Sequence, residues 1–447
     1  MGITPGLGRL ATRLTRSGRF IAGDRTQGAA GLAGGPPSVS PAKPSSTAKQ
    51  MVTLPQKRRA FASPFRSEED AERPPKEVTA ARFPGPGGGG PFWTLDLKVL
   101  PRAPEAIGWD RTIAEYARLA SEARWPQLLG DLRRADQERQ VAPGGKRLAE
   151  LMSLGIRQTL LRALEKGDMF TADSQMTQLV TVQGLNPRDY VAAHLLAQAH
   201  LDFGWARRGD GVSGELSKED WQSFLARTAQ AEKVLDPFDP VEELSSLLAG
   251  TRYLLVRGLE EGDELCTDWY EDWSDIDPTN WTVHATHAPH LLPEWFGNPR
   301  LLDTAAREAM TRTHSEMGAA AYAIFYRAVA DTVGDAPALM DMGLMLRGLQ
   351  DFQRLSGCQY RANIVAGSMT EIAHALYLEG QAGTVSFGKI KAALARQLET
   401  RVTEIHLPAW ADSEACVHWG LSLIFGAPLA AGNRIVAGDK GLQRVAV

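Results

Sequence analysis

Residues 196–204 read LAQAHLDFG, and residues 226–240 read ARTAQAEKVLDPFDP. Each segment spaces its small and apolar residues for one helical face, and Asp236-Pro237 closes the second on a turn. The pair therefore reads as two helices laid against each other. The same spacing recurs on either side. Ile113, Tyr116, Ala117, Ala120 and Ala123 mark a helix over about 111–124, and Pro126 opens the next. Leu148, Leu151, Met152, Ile156, Leu160, Leu161 and Leu164 form a stripe over about 146–166 that Gly167 ends. Asn186-Pro187 opens a long helix through Trp205 that carries Tyr190, His194, Leu195, Ala197 and Leu201. Further helices are expected at about 218–235, 240–258, 300–333, 337–355, 360–380, 386–400 and 412–425. Period-2 alternation is confined to Val180-Thr181-Val182 and Thr384-Val385-Ser386-Phe387. The expected class is all-α, and helices of this length joined by short turns suit a stacked array.

Charge divides the 447 residues unevenly. Residues 1–92 carry 14 Lys/Arg against 6 Asp/Glu, and the remainder carries 35 against 47. The acidic body excludes an extended phosphate-binding groove, so no nucleic-acid partner is expected. Residues 27–50 and the run Pro84-Gly85-Pro86-Gly87-Gly88-Gly89-Gly90 cannot repay the entropy of ordering, so 1–92 reads as a disordered basic tail and linker. Arg9, Arg13, Arg16, Arg19 and Arg25, with Asp24 the only acid, also match a transit peptide in composition. The plainer reading is a basic leader, with Met51 a second candidate start. The other expected regions are 93–184, an N-terminal helical region; 185–425, the main helical domain; and 426–447, a C-terminal tail. Cys266, Cys358 and Cys416 are odd in number and far apart, which fits a reducing compartment. No apolar run reaches the ~18 residues of a membrane span, and the expected location is cytoplasmic.

The densest chemistry lies in Asp268–Asn298, DWYEDWSDIDPTNWTVHATHAPHLLPEWFGN. It holds four of the 11 tryptophans and three of the nine histidines, His284, His287 and His290. Nine carboxylates from Glu260 to Asp277 lead into it with no Lys or Arg between them. Imidazoles spaced i, i+3, i+6 suggest a metal site, but i and i+6 do not easily reach one ion. Pro289 also opposes helical geometry at Ala288. The plainer alternative is a packed Trp/His corner between helices. The acid run is more often a solvated face, and it lacks the spacing of a calcium loop. Tryptophan platforms beside carboxylates would suit a carbohydrate-acting enzyme, yet nothing singles out two carboxylates flanking a bond. There is no G-x-S-x-G, and Cys266 lies among acids that disfavour its thiolate. No catalytic residue and no cofactor is assigned.

Leu196-Ala197, His200 and Gly204 sit where a tetratricopeptide repeat places its small and aromatic knobs. Leu235-Asp236-Pro237 and Ile276-Asp277-Pro278 follow helices 41 residues apart, longer than that repeat's period. Three further segments carry a resemblance: His287/His290-Leu291-Leu292-Pro293-Glu294-Trp295-Phe296-Gly297, Ala321-Tyr322, and Met342/Gly343 with Ser356, Asn363 and Ala366. Together they resemble a bacterial family of tetratricopeptide-like helical proteins known only as a domain of unknown function. Glu294 stands where that family shows a basic residue. The resemblance spans about 185–425 and implies a helical-array fold (an α-solenoid) with no assigned activity. The resulting expectation is a protein- or peptide-binding scaffold. Its binding surface would be Tyr270, Trp273, Trp281, His284, His287, Trp295 and Tyr322, with the acidic rim favouring a basic partner. The alternative is a metal-dependent or carbohydrate-acting enzyme using His284, His287, His290 and the acidic cluster.

Overall fold

The computed structural model describes residues 81–83 and 93–446, apart from 209–216, 331–338 and 412–413. The expected tail 1–92 therefore lies outside the described residues, except for Ala81–Phe83, which form strand β1. Helix dominates the rest.

Seventeen α-helices are described. The first five are α1 (Pro104–Ser121), α2 (Trp125–Gln137), α3 (Leu148–Ile156), α4 (Gln158–Lys166) and α5 (Met169–Leu185). The middle of the chain forms α6 (Tyr190–Arg208), α7 (Lys218–Leu235), α8 (Ser246–Tyr253), α9 (Gly262–Ile276) and α10 (Trp281–His287). Then come α11 (Pro299–Arg312), α12 (His314–Met317), α13 (Ala320–Ala328), α14 (Met342–Arg354), α15 (Gln359–Leu378), α16 (Val385–Thr400) and α17 (Glu414–Ala430). Side-chain caps set several starts. The hydroxyl of Ser217 accepts from Asp220 N, and that of Ser245 from Leu248 N, each at 3.0 Å. Asp341 Oδ1 accepts from Gly343 N and Leu344 N at 2.8 and 3.1 Å. Each cap satisfies an amide that the first turn leaves unpaired. No helix among the described residues is long and apolar enough to cross a membrane.

Three expectations change. The stripe 146–166 is two helices that turn at Arg157, so α3 meets α1 while α4 runs along α5. The stretch 300–333 breaks at Thr313 and again at Gly318, whose φ of 59° ends α12; its last three residues lie outside the described ones. Both period-2 hints are helical: 180–182 lies in α5 and 384–387 opens α16. In α5 the buried residues Ala172, Met176, Leu179 and Val182 follow the helical period, which outweighs the β-branched triplet.

The strands lie near the two ends of the described chain. β2 (Trp93–Asp96) pairs antiparallel with β1 and parallel with β5 (Arg434–Ala437), Leu95 opposite Ile435. β5 turns back into β6 (Leu442–Val445), and β3 (Val99–Leu100) pairs parallel with β4 (Ile405–His406). The stretch 426–447, expected as a tail, thus completes α17 and supplies two strands. Ile435 and Leu442 are buried in the main core, which gives this end a packing role.

Two large apolar cores run through the helices. One gathers Tyr116 to Leu255, and the other gathers Ala249 to Leu442 with Leu97 and Val99. The two cores meet along α8 and the turn after it, where Leu247, Leu248 and Leu255 belong to the first and Ala249 and Tyr253 to the second. Within the first core, α6 and α7 form the hairpin read from 196–240, with a Cβ at Gly204 falling 3.2 Å from the Phe224 ring.

A buried polar seam ties the cores together. Arg147, just before α3, forms a two-pronged ion pair with Asp277 at the end of α9, its Nε 2.9 Å from Oδ2. Its Nη2 also donates to Thr279 Oγ1 at 2.7 Å, and Ser246 Oγ donates to Asp277 at 2.9 Å. Beside it Asn280 Nδ2 donates to Glu150 at 2.8 Å.

Removing one member of the pair leaves the other charged and buried. Asp277→Ala is expected to cost about 3–5 kcal/mol in urea unfolding, whereas Arg147→Met with Asp277→Leu should cost less than the two singles summed. Elsewhere, a Cβ at Gly348 would meet the Ala319 carbonyl oxygen at 2.5 Å and Ala323 Cβ at 2.8 Å, where α14 crosses α13. Gly348→Val should therefore lower stability by about 1–3 kcal/mol in the same measurement.

Candidate functional site

Asp268–Asn298 folds into α9, a turn at Asp277-Pro278, α10, and a 3-10 turn over Ala288–Leu291 that takes up Pro289. Most of its aromatic residues point inward. Tyr270, Trp273, His284, His287 and Tyr322 are all buried, so five of the seven residues expected on a binding surface are core. Trp281 and Trp295 keep partly exposed rings. The physical reason is area: a Tyr or Trp ring on the inner face of an amphipathic helix removes more apolar surface from water than any neighbour.

The three imidazoles are each engaged separately. His284 Nε2 faces the Pro278 carbonyl at 3.3 Å, which can only accept, so its Nδ1 accepts from the Tyr270 hydroxyl at 2.9 Å. His287 shares a 2.7 Å bond with the Tyr253 hydroxyl and stacks on Tyr270, centroids 3.9 Å apart. His290 donates from Nδ1 to the Thr286 carbonyl at 2.9 Å and accepts from Arg257 Nε at 2.8 Å. This corrects the metal alternative: the ring nitrogens are turned to different partners. No group of three His, Cys, Asp or Glu among the described residues is placed to hold an ion. Burial holds all three rings neutral, His284 pushed down to about 4, His287 to about 3, and His290 well below its usual value. Cys266, 3.3 Å from the Tyr253 hydroxyl, is pushed up to about 11 by burial, the opposite of an activated thiol.

Tyr322 lies apart from this corner. Its hydroxyl donates to Asp303 at 3.0 Å and accepts from Asp341 N at 2.8 Å, fastening α11, α13 and the start of α14. Trp273 donates to Ser246 Oγ at 3.0 Å, and Trp281 packs edge-on to Phe352 at 6.5 Å. The acid run is mostly a solvated face of α9, where Arg312 takes Glu271 and Asp275 at 2.6 and 3.0 Å; Asp277 alone is fully buried.

What reaches the surface from this corner is Arg257. With Nε on His290, its guanidinium lies 4.2 Å from the Trp295 ring centroid and 5.3 Å from that of Trp205. Arg208 follows, 5.0 Å from Trp205, 5.3 Å from Trp295 and 5.9 Å from Trp221. Phe224 backs the ladder, 4.9 Å from Trp205 and 5.4 Å from Trp221. The last turn of α6, the first turns of α7, the 3-10 turn Leu254–Gly258 and the loop before α11 converge here. All five ladder residues are partly exposed. Burial, reinforced by Arg208 nearby, pushes the Arg257 guanidinium down to about 10. No carboxylate lies within ion-pair distance of it among the described residues. A guanidinium stacked on indole keeps its N–H edge free for a carboxylate or phosphate. Of these residues only Trp295 was singled out from sequence; the one local signal for the rest is Trp205 and Arg208 one helical turn apart.

The chain matches no family model, no curated protein and no solved structure.

The buried histidines give the fold an acid limit. In the unfolded chain they titrate near pH 6.5, and in the folded chain His194, His284 and His287 titrate near 3 to 4. Their contribution is complete above about 6.5 and is lost as the pH falls toward the folded values, because the unfolded chain takes up protons first. Urea unfolding should weaken between pH 7 and pH 5, with a slope approaching about 1.4 kcal/mol per pH unit for each such histidine. His287→Gln should remove one proton from that slope; an unchanged slope would contradict the buried neutral ring.

Proposed function

We propose that the protein is a helical binding scaffold that docks a protein or peptide partner through the ladder of Trp205, Arg208, Trp221, Arg257 and Trp295. The observation that carries this reading is Arg257, held between two indoles and, among the described residues, without a carboxylate in ion-pair reach. The Arg257 charge so placed gains when an anion arrives, and the rings around it supply the apolar contact that protein hot spots use. The partner is therefore one that presents Asp, Glu or a terminal carboxylate beside an apolar side chain. This replaces the basic partner expected from the acid run, because that run lies on α9 and is partly met by Arg312. We further propose that the helices form a tetratricopeptide-like array akin to the bacterial family resembled by 185–425. The α6–α7 hairpin, with Gly204 against Phe224, supports it as one helix pair of such an array.

Titration of tryptophan fluorescence with an acidic, aromatic-containing peptide and a basic peptide of equal length tests the proposal. The acidic peptide should give a saturable change that weakens with salt, and Trp295→Ala should lower its affinity by about tenfold with helicity unchanged. Equal response to both peptides, or full affinity in Trp295→Ala, would remove it.

A further inference from the structure

A second cationic recess lies in the other core, between the C-terminal halves of α14 and α16. It encloses about 400 Å³, within the range of small-molecule sites. Arg354, Arg396 and Arg401 stand on its walls, Met369 lies among the lining residues, and no Asp or Glu lines it. Arg354 is met by Asp351 at 2.5 Å, but Arg396 and Arg401 form no ion pair among the described residues. Gln353, only 9% exposed, lines the recess, and its side-chain amide makes no hydrogen bond to the described residues. Gln397 beside it is anchored instead, donating to the Ala362 carbonyl at 3.0 Å.

A plainer account exists for part of this. Arg354 ends α14 and Arg401 follows α16, and a cation there complements the negative end of a helix dipole. Two such ends carry together about one negative charge. Arg396 and Arg401 carry two positive charges, so the recess stays positive after that compensation. The dipoles also leave unexplained why Arg396 sits a turn earlier.

The geometry points to a binding site for a small molecule bearing two or more oxyanion charges, held by Arg396 and Arg401 and oriented by the Gln353 amide. Phosphate esters and polycarboxylates share that chemistry. The site is distinct from the Trp295 ladder and does not rest on it.

Pyrophosphate and citrate, added to the full chain against sodium chloride at matched ionic strength, separate the two sources by thermal shift and calorimetry. A saturable rise in Tm with pyrophosphate alone assigns a phosphate compound, and with citrate alone a carboxylate compound; a rise with both supports the shared chemistry. Arg396→Gln and Arg401→Gln, both changes of exposed residues, should each weaken binding about tenfold. Gln353→Met, which keeps the volume, should weaken it with no loss of Tm in the unliganded protein, and Trp295→Ala should leave it unchanged. No rise beyond the chloride control with either probe, or a rise kept when Arg396 and Arg401 are both replaced, overturns the assignment.

Discussion

The ion pair of Arg147 with Asp277 is the constraint on which the arrangement of the two cores depends. It is buried, and Asp277 also closes α9 ahead of Pro278. Buried pairs of this kind rarely add net stability over apolar packing, because removing two ions from water costs about as much as their attraction returns. What they supply is a requirement for one geometry. Here the requirement is passed along the chain. With Asp277 held, α10 leaves the turn in one direction, so His284 meets Tyr270 and His287 meets Tyr253. The 3-10 turn that follows then brings His290 under Arg257, and Arg257 under Trp295. A side chain at the start of α3 thereby sets the place of a surface ladder built mainly from other helices.

Much of the fold was legible because helices announce themselves locally. The stripes at 218–235 and 386–400 coincide with α7 and, within a residue, with α16, since Ser217 and Thr384 cap where the apolar period begins. Strand pairing was not legible. Leu95 meets Ile435 across almost the whole body, and two short parallel strands carry no turn and no alternation long enough to read. The break at Arg157 was hidden for another reason: Leu148 to Leu164 keeps its period through the bend, and only the packing of α1 and α5 on either side requires the turn.

The site was half legible. Pro289 and the i, i+6 spacing argued against one shared ion, and the separate hydrogen bonds of the three rings follow that logic. Counting aromatic residues did not anticipate their burial, however. Large rings cluster in a sequence both where a partner binds and where a corner must be filled, and composition does not tell the two apart. The distinction lies in what accompanies the ring. Trp273 and Tyr270 meet buried hydroxyls and imidazoles, whereas Trp205, Trp221 and Trp295 meet the guanidinium groups of partly exposed arginines.

Net charge misleads in the same way. The body beyond residue 92 is acidic by count, and an acidic body suggests basic partners. At physiological salt, though, charges farther apart than about 8 Å are largely screened, so a partner responds to the few groups it touches. The carboxylates of α9 are spread along an exposed helix and partly neutralised by Arg312. Arg257 lies between low-dielectric rings, where the same unit charge acts more strongly. Local dielectric and pairing, and not the sum over the chain, therefore decide which sign of charge a surface of this kind favours.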